Sequence, residues 1–214
     1  MKKFLSLLVL ASAYSLNCYA LDLAVVGTGT FHSVALDSTT QSQLKQIGFD
    51  LSSGFGVGFG ALVGVPVIFP GFKLETGLLY LTRQYSLSDG NSADTLTARL
   101  HSLEIPAVLR FEVLSIASVG AGLYYAKSVG QVSCVGSNCG GITPSSYSDA
   151  GLKTSEVGLV LSGGVKIPVA LTPFSVLTDV RVTRGLTNML VDQTGGVSQK
   201  YNDVQILLGL NMSL

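Results

Sequence analysis

The last eleven residues alternate with a period of two. Val204, Ile206, Leu208, Leu210, Met212 and Leu214 share one parity, and Gln205, Leu207, Gly209, Asn211 and Ser213 share the other. Successive side chains of a strand point to opposite faces, so this segment reads as a strand with one wholly apolar face. The same pattern returns in Leu103 to Phe111, where Leu103, Ile105, Ala107, Leu109 and Phe111 alternate with Glu104, Pro106, Val108 and Arg110. It recurs in Phe72–Tyr85, Glu156–Ile167 and Phe174–Thr187. Each run exceeds the five or six residues of a usual soluble strand.

Three further segments rich in Gly and in β-branched or aromatic residues fit the same design: Leu21–Leu36, Gly54–Val65 and Ser115–Val129. That makes eight expected strands. Their links alternate in length, short at Pro66–Pro70, Val113–Leu114 and Pro168–Pro173, long and polar at Asp37–Phe49, Leu87–Leu96, Gly130–Lys153 and Asn188–Tyr201. Outer-membrane barrels carry short turns on the periplasmic side and long loops outside, which would set both ends of the mature chain in the periplasm.

Composition decides between a soluble sandwich and a membrane barrel. Charged residues are 12% of the chain, against roughly 25% in soluble domains, too few to clothe a water-facing surface. Acids and bases balance at 13 each, so no basic stripe exists for a nucleic acid. A mean hydropathy of +0.50 would suit membrane helices, yet glycines and charges break the apolar runs before they reach about 18 to 20 residues. Strands can span lipid only as a closed sheet, where every backbone polar group finds a partner. The expected fold is therefore all-β: an eight-stranded antiparallel up-and-down transmembrane β-barrel.

Residues 1–20 read as a signal peptide, with Lys2 and Lys3 before an apolar stretch and Cys18-Tyr19-Ala20 at the cleavage site, leaving 21–214 as the barrel domain. Asn17, rather than a small residue, precedes Cys18, which speaks against a lipidated cysteine. Two lysines leave with the signal, and the mature chain is faintly acidic. In an exported protein the remaining pair, Cys134 and Cys139, reads first as a disulfide closing a short loop, ahead of free thiols. A zinc site would need two more ligands, and His32 and His101 lie in distant segments. No metal and no cofactor are expected.

Four segments carry a family resemblance: KLETGLLYLTRQYS at 73–86, LEIPAVLRFEV at 103–113, GAGLYYAKSVG at 120–130 and VRVTRGLTNML at 180–190. In order and spacing the chain resembles the bacterial outer membrane protein β-barrel family of the PorT and OmpA/OmpX-like kind. The resemblance implies a porin-like barrel architecture at the Gram-negative cell surface and specifies no activity. The chain ends in Leu214 where many such barrels end in an aromatic, and no peptidoglycan-binding domain follows the last strand, so cell-wall anchoring is not expected.

Alternation points Lys73, Glu75, Arg83, Glu104, Arg110, Lys166, Asp179 and Arg181 into the lumen, five cations facing three acids. They could line a narrow selective pore for small solutes or plug the barrel as ion pairs. An eight-stranded interior is just wide enough for side chains to fill it, which favours the plug, with Glu75, Glu104 and Asp179 pairing Lys73, Arg110 and Arg181. Some small barrels are lipid-modifying hydrolases, and His101 shares the lipid-facing parity near the outer rim. No acid–His–Ser set can be assembled around it, nor any partner for His32, so no catalytic residue is expected. With no Trp, interfacial anchoring falls to Tyr80, Tyr85, Phe72, Phe111 and Phe174. Expected partners are outer-membrane lipid, the barrel-assembly machinery and an extracellular ligand of the long loops, Gly130–Lys153 above all. Nucleic acid is not among them, and the expected state is a monomer. The function these features imply is structural or surface-interacting.

Overall fold

The structure, a computed structural model, describes residues 21–36, 42, 49–52, 54–89, 95–113, 116–135, 144–190 and 199–214. Ten strands follow one another: β1 (Asp22–Leu36), β2 (Phe49–Ser52), β3 (Gly54–Pro66), β4 (Phe72–Asp89), β5 (Thr95–Val113), β6 (Ala117–Ser128), β7 (Ser133–Val135), β8 (Ser155–Pro168), β9 (Phe174–Gly185) and β10 (Gln199–Ser213). β2 and β3 both pair β4, so they form one stave, and β7 takes the edge of β5 above the point where β6 leaves it. The sheet closes on itself through β1–β10 and β4–β5, giving an antiparallel barrel of eight staves. The chain from Leu21 to Leu214 is stitched at its ends by two backbone hydrogen bonds of 3.1 and 2.8 Å.

The strands run further than their hydrophobic patterns suggested. β4 reaches Asp89 and β5 begins at Thr95, so both ends of the expected Leu87–Leu96 loop are strand, with Leu87 paired to Leu96 and Ser88 to Thr95 beyond the apolar belt. Polar residues extend this ladder because pairing needs backbone, not hydrophobicity. The ladder between β4 and β5 is interrupted opposite Pro106, which has no N–H to offer.

Closure in so narrow a barrel brings neighbouring backbones close. A Cβ at Gly56 would strike the Thr82 carbonyl of β4, so β3 can pass there only as glycine. Beyond Gly58↔Leu81 the Thr82 side chain takes over the ladder, its hydroxyl accepting from Val57 N at 3.0 Å and donating to Val57 O at 2.8 Å. At the short turns Gly71 adopts φ 81°, a left-handed conformation for which glycine is suited.

The outer face is apolar on every stave. Val25, Phe31, Phe59, Leu78, Ile105, Leu123, Leu161, Val182 and Leu208 all lie exposed on it. A water-soluble barrel would not leave so continuous an apolar surface uncovered. The rings of Phe72 and Phe111 meet at a tilt, 5.0 Å between centroids, at the short-turn end of this face, and Phe174 is exposed there as well. Tyr85 differs from the anchoring expectation: it sits on the inward parity of β4 and is buried in the mouth of the barrel.

Candidate functional site: a lumen of ion-paired tiers

β4 serves as a ruler through the interior, because Lys73, Glu75, Leu79, Leu81, Arg83 and Tyr85 all point inward from it. At the turn end, Lys73 Nζ lies 2.6 Å from Asp22 and 3.0 Å from Glu112, while Lys166 Nζ lies 2.7 Å from each. Ser213 donates a further hydrogen bond to Asp22 at 2.6 Å. The next tier joins Glu75, Arg110, Asp179 and Arg181. Arg110 and Arg181 reach Glu75 at 2.8 and 2.6 Å, Arg181 reaches Asp179 at 2.9 Å, and Arg110 also pairs Asp179. Arg110 donates in addition to Ser118 Oγ at 3.0 Å.

Two apolar clusters follow, Leu62, Leu79, Leu81, Leu177 and Leu207 with Ala24 and Val26 on one side, Val108, Tyr124, Ala126 and Val160 on the other. Above them stands a third charged tier. Arg83 reaches Glu156 at 3.0 Å and Asp203 at 2.8 Å, and His32 Nδ1 lies 3.0 Å from the second oxygen of Asp203. His32 Nε2 lies 3.0 Å from the Thr82 carbonyl. Tyr124 donates to Glu156 at 2.6 Å.

Each of the two lower tiers therefore holds two cations and two acids, and the upper tier sets Arg83 between Glu156 and Asp203. Ion pairing of this kind is what makes buried charge tolerable, since an unpaired ion would carry its full desolvation cost. The mouth above is closed by Tyr85, Leu100, Tyr147, Met189 and Tyr201, with Tyr85 stacked on Tyr201 at 5.3 Å and Arg83 over the Tyr201 ring at 5.0 Å. Tyr147 comes from the third long link, and its hydroxyl binds the His101 backbone N–H and C=O at 2.8 Å each.

All eight residues singled out by alternation lie on the inward face, and Glu75 and Asp179 pair Arg110 and Arg181, whereas Lys73 and Glu104 lack the expected partners. Lys73 pairs Asp22 and Glu112 instead of Glu75, Glu104 or Asp179. Glu104 makes no ion pair among the described residues and accepts from the Gln205 amide. The balance of five cations against three acids is also corrected, because Asp22, Glu112, Glu156 and Asp203 join the interior. His32, without a partner in the sequence reading, is completely buried between Asp203 and Thr82. Glu156 and Asp203 share parity with Lys166 and Gln205, a signal that could have found them. Asp22 heads an inward face that continues as Ala24 and Val26, and carries no such signal.

His101 faces outward as its parity implies, its Nδ1 hydrogen-bonded to Tyr80 Oη at 2.7 Å with the rings stacked at 5.7 Å. Among the described residues no carboxylate or serine hydroxyl meets its ring, and no cluster of three or more His, Cys, Asp or Glu side chains forms a metal site. Cys134 is in a disulfide, while Cys139 and the expected signal 1–20 lie outside the described residues.

Residues 13–191 match the family model of the outer membrane protein β-barrel domain. No curated protein has a matching sequence. Among solved structures the chain is similar to the outer membrane protein OprG from Pseudomonas aeruginosa, at 14% identity and a TM-score of 0.54, covering 92% of this chain and 97% of that one. It is also similar to Neisserial surface protein A, at 13% identity and a TM-score of 0.51, covering 90% and 96%. These two likenesses concern the fold. With the matched model spanning most of its length, the chain belongs to the outer membrane protein β-barrel domain family and is a protein of the bacterial outer membrane.

Proposed function

We propose that this barrel is a closed, non-conducting element of the outer membrane that acts structurally and presents its long loops at the cell surface. The observation that carries the reading is the stack of three ion-paired tiers beneath an aromatic mouth. Water and small solutes crossing the lumen would have to displace paired guanidinium and carboxylate groups, and nothing in transit would compensate them. Pores that conduct keep a wet interior, whereas here the Arg181 and Asp179 side chains are fully buried. An enzymatic role has no support in the lipid-facing His101, whose ring meets a tyrosine rather than a nucleophile or an acid. Single-channel recording of refolded protein in a planar bilayer tests the proposal. The expected trace is a flat baseline across the voltage range; reproducible unitary steps would overturn it and favour a narrow pore.

A further inference from the structure

We infer that the outer face of β3 to β6 holds one phosphorylated, acylated glycolipid of the outer leaflet, an acyl chain in a groove over Ala61 and a phosphate against Lys127 and Arg99. The groove is about 500 Å³, lined by Phe59, Gly60, Ala61, Leu78, Tyr80 and Leu103. It exists because small Ala61 stands among large neighbours, with Leu78 beside it and the row Phe59–Tyr80–Leu103 above. Its lining is almost wholly apolar, so it suits hydrocarbon.

The level of its upper end identifies the leaflet. Along the outward face of β5 the sequence descends from Arg99 and His101 to Leu103, Ile105, Ala107, Leu109 and Phe111. From Phe111 to His101, at about 3.3 Å per residue and a tilt near 45°, the height is roughly 23 Å. That matches the apolar belt of about 25 Å, and sets His101 and Arg99 at the headgroups on the loop side.

Charge supplies the second argument. Outward residues of β6 run Val119, Ala121, Leu123, Tyr125 and then Lys127, and those of β10 run Leu210, Leu208, Ile206, Val204, Asn202 and then Lys200. On β9 the first charge after Val180 and Val182 is Arg184. β5, β6, β9 and β10 each present a base at the loop-side end of the outer face. Lys127 sits beside Leu103 at the top of the groove, one diagonal step from His101, whose carbonyl accepts from Val129 N at 2.9 Å. Diagonal neighbours on one face lie within reach of long side chains. Neither Lys127 nor Arg99 pairs a carboxylate among the described residues, and Arg99 Nε is buried without a hydrogen-bond partner among them. Guanidinium and ammonium groups unpartnered at headgroup level complement a phosphate, and a phosphomonoester offers more charge and more acceptor oxygens than a phosphodiester. That difference selects the phosphorylated glycolipid over an ordinary phospholipid.

Native mass spectrometry of the full barrel, refolded in detergent with bisphosphorylated lipid A, tests this, with phosphatidylglycerol as the competitor. The wild-type protein should retain one lipid A, and raised salt should release it. The R99A/K127A double variant should weaken retention by about tenfold or more, and A61F, which fills the groove, should weaken it comparably. All these side chains lie outside the lumen, so heat-modifiable gel mobility should stay as in wild type. K127E, a single exposed change, gives the same readout should the double variant fold poorly. Unchanged retention in K127E and A61F, or displacement by phosphatidylglycerol at equal concentration, would overturn the inference.

Discussion

Gln205 spans the lumen to Glu104, its Nε2 lying 3.2 and 3.4 Å from the two carboxylate oxygens. Both side chains are completely buried. Because the lysines and arginines of the three tiers already pair other carboxylates, no cation depends on Glu104. Glu104→Gln should therefore keep the unfolding midpoint within about 1 kcal/mol of wild type, and Glu104→Ala should cost about 1–3 kcal/mol from the lost hydrogen bond and the space left. Urea titration followed by gel mobility of the folded barrel measures both. A large loss in the Gln variant would mean that a cation does rely on that carboxylate.

Asp203 is the opposite case. One oxygen meets His32 and the other meets Arg83. Asp203→Ala leaves the buried Arg83 with Glu156 alone and removes the carboxylate that meets His32, and breaking a buried pair of this kind costs about 3–5 kcal/mol. The same titration should show a midpoint shift well beyond that of Glu104→Ala. If the two variants were equal, water would be reaching the upper tier.

Steric closure gives an independent test. Gly56 faces inward against the Thr82 carbonyl and the His32 ring, and the obstruction is largely backbone. Gly56→Val should yield no heat-modifiable species, while the same change at Gly163, where a Cβ meets nothing within 4 Å, should fold. Recovery of the Gly56 variant at wild-type yield would show that β3 and β4 can part without loss of the barrel.

These residues also show where sequence reading stops. Period two assigns a face, which is why Lys73, Arg83, Arg110 and Arg181 could be set in the lumen without coordinates. It does not assign a neighbour. Whether Arg110 meets Glu75 or Glu104 depends on the stagger of β5 against β4 and on side-chain reach across the barrel, and neither is written in a single strand. Short inward faces mislead in another way. Asp22 lies at a strand end, so too few residues flank it for its parity to stand out. Residue type marks Tyr85 as an anchor, although the alternation that puts Arg83 inside puts Tyr85 there too. β2 and β7 have four and three residues, too few for a period of two to stand out.

The last prediction concerns Cys134. It stands in β7 opposite Ala98 of β5, on a three-residue strand that lies beyond the end of the β5–β6 ladder. It is in a disulfide, and Cys139 is the expected partner. A ring closed by so few residues restrains the unfolded chain little, by about 2 kcal/mol at most in the chain-entropy model, and any strain subtracts from that. The staves are held instead by the ladders between their own strands and by the lumenal ion pairs, none of which involves β7. Reduction should thus add two protons in a peptide containing Cys134 and Cys139 while leaving gel mobility of the folded barrel unchanged. Cys134→Ser should behave the same way. Unfolding of the barrel on reduction, or two free thiols in freshly isolated membranes, would show that the pair has a different role or a different partner.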